Sequence, residues 1–136
     1  MDISPQLLEQ IVTHALADPE NEVCGLVAVT STAKDDGPAQ ATRIHRATNK
    51  HASPLRFEID GKEVLRTMDE FEGEGWDLGA IYHSHVRSKP YPSQTDINFA
   101  RNWPGIEWII VGLAPGQSPE VRSYLIDGGE VTEVAI

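Results

Sequence analysis

Only one cysteine, Cys24, occurs in this 136-residue chain. An internal disulfide is therefore impossible, and so is the Cys-x-x-Cys pair that the zinc deaminases require. Long apolar runs are missing too: no stretch approaches the roughly 18 residues needed to span a bilayer. The opening Met1-Asp2-Ile3-Ser4-Pro5 has neither the basic flank nor the apolar core of a signal peptide. A cytoplasmic address and no membrane partner are the resulting expectations. Basic residues are scarce, with 11 Lys+Arg against 21 Asp+Glu and a formal net charge of −10. A surface of that sign repels phosphate backbones, and no basic stripe overrides it, so nucleic acid is not an expected partner.

What is present reads as an ordinary globular protein, with 40% apolar and 24% charged residues. Neither an internal repeat nor a linker interrupts it, and one domain over residues 1–136 is the expectation. Ser4 followed by Pro5 is a helix start, and Leu7, Leu8, Ile11, Val12 and Ala15 carry helical spacing over 5–17. Residues 23–30 form a short apolar, β-branched run that predicts a buried strand. A polar Gly/Pro-containing loop over 31–39 and a strand over 40–47 follow. Phe57-Glu58-Ile59 predicts a further short strand, and 61–72 a second amphipathic helix. Strands are predicted at 77–85, 106–113, about 120–126 and 130–135, with a helix from Ser93 to about Asn102. Asp127-Gly128-Gly129 marks a hairpin. Strands alternate with helices early and adjoin one another late, which predicts an α/β fold with a mixed sheet flanked by helices.

Chemistry concentrates between Ile81 and Asp96. His83 and His85 lie at i and i+2 on a predicted strand, so both face one side with Cα atoms about 6.6 Å apart. Two imidazoles at that spacing can converge on one metal, and Asp96 can add a carboxylate oxygen. Such a set leaves a position for water, as hydrolytic zinc sites do. The same residues have plainer readings. Alternating histidines can stand on a solvated strand face. Ser93 followed three residues later by Asp96 is the usual dress of a helix N-terminus. Glu22, between a helix and a strand, can be a surface charge.

Taken together, H-S-H, seven intervening residues, a serine, two residues and an aspartate, with an upstream E-V-C-G-L, resemble the signature of the JAMM (MPN-plus) metalloprotease family. The likeness extends over most of the chain, through Asn49, Phe57-Glu58-Ile59-Asp60 and Arg122-Ser123-Tyr124. It is strongest to the small bacterial members that release cysteine from a sulfur-carrier protein. The resemblance implies an MPN/JAMM-like fold. It implies Zn2+ held by His83, His85 and Asp96, and Glu22 as the acid/base that takes a proton from the attacking water and returns it to the leaving amine. Ser93 would steady the oxyanion. The implied substrate is a small ubiquitin-like or sulfur-carrier protein whose Gly-Gly C-terminus is joined to another group and whose tail would lie along a sheet edge. A catalytically silent MPN-type scaffold is the alternative, and homodimerisation stays open.

Other conspicuous residues have plain readings. Cys24 lies within an apolar run and reads as core. His14, His45 and His51 lack partners at ligand spacing. Trp76, Trp103 and Trp108 read as core or pocket-rim packing. Arg87 and Lys89 read as solvated loop charges within reach of a substrate.

Overall fold

The computed structural model describes residues 1–30 and 37–136; most of the loop expected at 31–39 lies outside the described residues. Its first helix, α1 (Pro5–Ala17), starts where Ser4 Oγ accepts a hydrogen bond from the Leu7 amide at 3.2 Å, with proline at the first helical position. Helix α2 (Gly61–Gly73) is capped by Asp60, whose carboxylate accepts from the Lys62 amide at 2.8 Å. Helix α3 (Gln94–Ala100) is the shortest of the three.

Six strands form one sheet: β1 (Cys24–Thr30), β2 (Ala41–Ala47), β3 (Trp76–His85), β4 (Glu107–Gly112), β5 (Glu120–Asp127) and β6 (Glu130–Val134). Their order is β2-β1-β3-β4-β5-β6, antiparallel throughout except for the parallel pair β3–β4. This is the mixed sheet that the order of elements predicts. Because β1 is covered on both faces, its residues from Cys24 to Val29 are all buried, which explains an apolar run without alternation. One face carries Leu26, Ile81, Trp108 and Phe71. The other carries Ile11 and Ala15 of α1 with Val27, Tyr82 and Ile109. No helix among the described residues is long and apolar enough to cross a membrane.

Two sequence expectations need correction. Phe57-Glu58-Ile59 is extended but joins no sheet. Its backbone is instead satisfied by the turn before it: Lys50 N–H donates to the Glu58 carbonyl at 2.9 Å, and Glu58 N–H donates to Asn49 Oδ1 at 3.1 Å. Both flanks of β1 are taken by β2 and β3, so no ladder position beside β1 remains. The apolar signal was still meaningful, because Ile59 is buried and Phe57 packs against the same core. The third helix also ends at Ala100 rather than near Asn102. Beyond it, Asn102 and Trp103 donate to the carbonyls three residues back, a tighter turn that winds the chain down before Pro104.

Candidate metal centre and its surroundings

At the C-terminal end of β3, His83 and His85 point to one side, as the period of a strand requires. Asp96, one turn into α3, meets them there. His83 Nε2 lies 3.1 Å from His85 Nε2 and 3.1 Å from Asp96 Oδ2, and His85 Nε2 lies 3.2 Å from that same oxygen. All three side chains are buried. Donors around a tetrahedral zinc with bonds near 2.0–2.2 Å stand roughly 3.3 Å apart, so this triangle fits that ion with shifts of a few tenths of an ångström. Two imidazoles and a carboxylate are also a donor set that divalent zinc favours. Among the described residues no other group of histidine, cysteine and acid side chains converges in this way.

Each donor is fixed by a neighbour. His85 Nδ1 donates to the Lys89 carbonyl at 2.9 Å; a carbonyl can only accept, so the proton sits on Nδ1 and the Nε2 lone pair faces Asp96. The His83 ring stacks on Phe57, with centroids 4.5 Å apart. Asp96 is oriented by a reciprocal cap: Ser93 N–H donates to Asp96 Oδ2 at 2.9 Å, and Asp96 N–H donates to Ser93 Oγ at 3.1 Å. The helix-cap reading of this pair is met, and the same cap leaves Asp96 Oδ2 facing the two histidines. Burial opposes ionisation of Asp96, but the two histidines and the Ser93 amide outweigh it and hold its carboxyl well below the usual range. Burial likewise opposes protonation of His85, and there Asp96, the Lys89 carbonyl and Glu22 prevail and raise its pKa.

Glu22 is buried at the entrance to β1. Its amide donates to the Ser53 carbonyl at 2.8 Å, and its carbonyl accepts from Asn49 Nδ2 at 3.0 Å. Burial pushes its carboxyl up to about 7, with the charge of His85 pulling down and that of Asp96 pushing up. The acid therefore lies within electrostatic reach of the donor triangle. Ser93 is exposed, and its hydroxyl uses an oxygen lone pair for the cap, which leaves the O–H proton to be donated elsewhere.

Several supporting residues had escaped the reading of the sequence. Ser84, between the two histidines, faces the opposite way. Its Oγ accepts from the Val23 amide at 2.9 Å, while its own amide donates to the Val23 carbonyl at 3.1 Å. That pins the residue after Glu22 to the histidine strand. A serine inside an otherwise apolar strand was the available signal, since a buried hydroxyl needs a partner. The Tyr124 hydroxyl donates to the Pro90 carbonyl, and Pro90 packs so closely on Gly112 that a Cβ there would lie 2.7 Å from Pro90 Cδ. The loop from Val86 to Pro92 is thereby anchored to β4 and β5 just before it delivers Ser93. No local pattern connects Tyr124 to that loop.

Residues given plain readings stay outside the triangle. Cys24 is buried opposite His83 in the β1–β3 register, and burial pushes its thiol up to about 12. His14 Nδ1 lies 2.7 Å from the Tyr82 hydroxyl. His45 contacts Glu63 and His51 contacts Glu58, so these histidines have partners that spacing did not reveal. Trp108 is buried in the core, and Trp76 lies beneath the Arg43 guanidinium.

Comparison with known proteins adds a family. Residues 4–127 match a profile described as prokaryotic homologs of the JAB domain. A CysO-cysteine peptidase of Mycobacterium tuberculosis is 33% identical over 134 residues, covering 96% of this chain and 86% of that protein. A desampylase of Haloferax volcanii is 33% identical over 115 residues, covering 81% and 78% respectively. Among solved structures, a JAB1/MPN domain protein from Archaeoglobus fulgidus superposes with a TM-score of 0.62 over 98% of this chain and 96% of that one. At 20% identity, that likeness speaks to the fold alone.

Proposed function

Because this chain belongs to the prokaryotic homologs of the JAB domain, we propose that it is a zinc-dependent peptidase that cuts after the C-terminal Gly-Gly of a small ubiquitin-like or sulfur-carrier protein. The observation that carries the reading is the buried triangle of His83 Nε2, His85 Nε2 and Asp96 Oδ2, with Glu22 buried beside it. His83, His85 and Asp96 would hold the ion. When bound, zinc supplies a Lewis acid that polarises a carbonyl and brings the pKa of water down to about 7.

The protein's own groups account for the rest of the chemistry. Glu22 receives a proton from the attacking water and returns it to the amine that leaves. A carboxyl whose pKa stands near neutrality can do both at physiological pH, and burial is what moves it there. The hydrogen bonds to its backbone from Asn49 and to Ser53 set where that carboxyl stands. The Ser93 O–H points its remaining proton at the negative charge that develops on the carbonyl oxygen. Burial of the donors keeps water from screening these interactions. The relatives bearing peptidase and desampylase names support a hydrolase, and the silent-scaffold alternative has no support while every motif position is filled.

The protein purified without chelator is expected to carry about one zinc per chain, and His85→Ala is expected to lose both the metal and turnover. Elemental analysis by mass spectrometry checks this. Wild-type protein free of zinc after equilibration with it at neutral pH would overturn the assignment.

A further inference from the structure

We propose that Phe57, clamped by Asn49, is a positioning residue of the metal centre. Its ring holds the His83 imidazole where no Nδ1 hydrogen bond does, and it sets the spacing between the strand and the helix that carry the donors. The inference rests on the zinc part of the reading above and is independent of which conjugate is cut.

The two histidines are held differently. His85 Nδ1 has the Lys89 carbonyl, whereas His83 Nδ1 is buried and finds no hydrogen-bond partner among the described residues. A metal-bound histidine ordinarily donates that second N–H to an oxygen, which fixes the ring. The side chains beside His83 in the sheet, Cys24 on β1 and Ile110 on β4, offer no such oxygen. What meets the ring instead is the face of Phe57, with centroids 4.5 Å apart and planes 26° from parallel. Stacking of that kind is favourable for flat rings and opposes rotation of the imidazole about its Cβ–Cγ bond. Phe57 also reaches α3. Its ring meets that of Phe99 edge to face at 6.0 Å, and Phe99 in turn meets Trp108 at 6.0 Å. Phe99 follows Asp96 by three residues on α3, so the two share a side of the helix. One ring therefore touches both the histidine of β3 and the helix that carries Asp96.

Phe57 lies outside the sheet, and a single side chain supplies its anchor. Asn49 Nδ2 donates to the Arg56 carbonyl at 3.0 Å, and Asn49 Oδ1 accepts from the Glu58 amide at 3.1 Å. The peptide groups on either side of Phe57 are thus both bound. The remaining Asn49 N–H donates to the Glu22 carbonyl at 3.0 Å, and the remaining lone pair accepts from the His51 amide at 3.1 Å. Every hydrogen bond that a primary amide can make is present. Carbonyls lie on one side of the group and amides on the other, which leaves it one orientation. No other residue type offers two donors and a doubly accepting oxygen at that side-chain length. A segment without a strand partner therefore presents its aromatic ring at a defined height over His83. The same amide ties that segment to the loop of the acid, so ring and acid share one anchor.

The test measures the zinc affinity of the full chain by competition with a chromophoric chelator, with folding checked by circular dichroism. Phe57→Leu keeps an apolar side chain but no flat face, and should weaken zinc binding by about tenfold, as loss of a group that orients a metal ligand does. Phe57→Tyr keeps the face and should bind as wild type does. Val64→Ala, in the same core but on α2, should lose stability without losing affinity. Asn49→Ala should weaken zinc severalfold on its own and add little to Phe57→Leu, because it acts through that ring. With Co2+ in place of zinc, the visible absorption of Phe57→Leu should differ from wild type in position and intensity, and that of Phe57→Tyr should not. Unchanged zinc affinity in Phe57→Leu, or a loss in Val64→Ala as large as that in Phe57→Leu, overturns the inference and leaves the zinc centre standing. Fully additive losses in the Asn49→Ala/Phe57→Leu double variant overturn the clamp. Wild type with no measurable zinc affinity removes the centre and the inference with it. The predicted order of affinities without cleavage of any carrier adduct supports the positioning role and removes the peptidase.

Discussion

Glu22 is surrounded by groups that disagree about its charge. Burial and the Asp96 carboxylate oppose ionisation, and His85 favours it, with burial the largest of the three. A carboxyl raised from 4.5 to about 7 on folding contributes stability that is fully present below the lower value and lost as pH rises through the upper one. In metal-free protein, Glu22→Gln should therefore be more stable than wild type at pH 8, by on the order of 2–3 kcal/mol, with the difference largely gone at pH 5. Thermal melts of chelated protein at the two pH values check this, and an equal difference at both would contradict it. Zinc favours the carboxylate and should shrink the gap. Ser93 joins two roles in one side chain. Ser93→Ala keeps the backbone N–H that orients Asp96, so zinc should remain and stability should fall by only about 1 kcal/mol. Turnover should fall by roughly 10²–10³, with Ser93→Thr close to wild type. An alanine variant with wild-type kcat would leave the serine as a cap alone.

Elements explain why these residues meet. The strand β3 carries both histidines, and β1 is fastened to it so that Glu22 arrives at their level. Gly25 faces Tyr82 across that pair, and a Cβ at Gly25 would lie 2.2 Å from the Tyr82 ring. The ring is fully buried and held at its far end by His14, so it has little room to yield. Gly25→Ala is expected to cost about 1–3 kcal/mol, measured by denaturant unfolding, and to reduce activity by displacing Glu22. An alanine variant as stable and as active as wild type would mean that β1 tolerates a shift this account excludes. At this scale much was legible in advance. Ser4-Pro5, the apolar run of β1 and the Asp127-Gly128-Gly129 turn carry local signals that their surroundings reinforce. Phe57-Glu58-Ile59 was not legible, because the apolar pattern of a strand and that of an extended segment packed on the core are the same. What separates them is what the backbone pairs with, and here Glu58 bonds to the Asn49–Lys50 turn rather than to a strand. The Tyr124–Pro90 contact was likewise hidden, since it joins residues 34 apart in sequence through side chain and carbonyl.

Over the whole molecule, the sheet works as a plane whose one end gathers a donor triangle, a buried acid and a hydroxyl from three separate stretches of chain. The spacing of His83, His85, Ser93 and Asp96 made two of those stretches readable, because a strand period and a helix cap are local geometry. The placement of Glu22 against them is a property of the β1–β3 register, which spacing does not encode. The most direct test of the central claim is cleavage of a Gly-Gly-ended carrier adduct, followed by intact-mass spectrometry. With stoichiometric zinc, the account predicts conversion to the carrier mass ending in a free glycine carboxylate, loss of conversion after chelation, and recovery when zinc is restored. Zinc-loaded protein that leaves amino-acid and lysine adducts alike uncut, while folded and metal-replete, would contradict it.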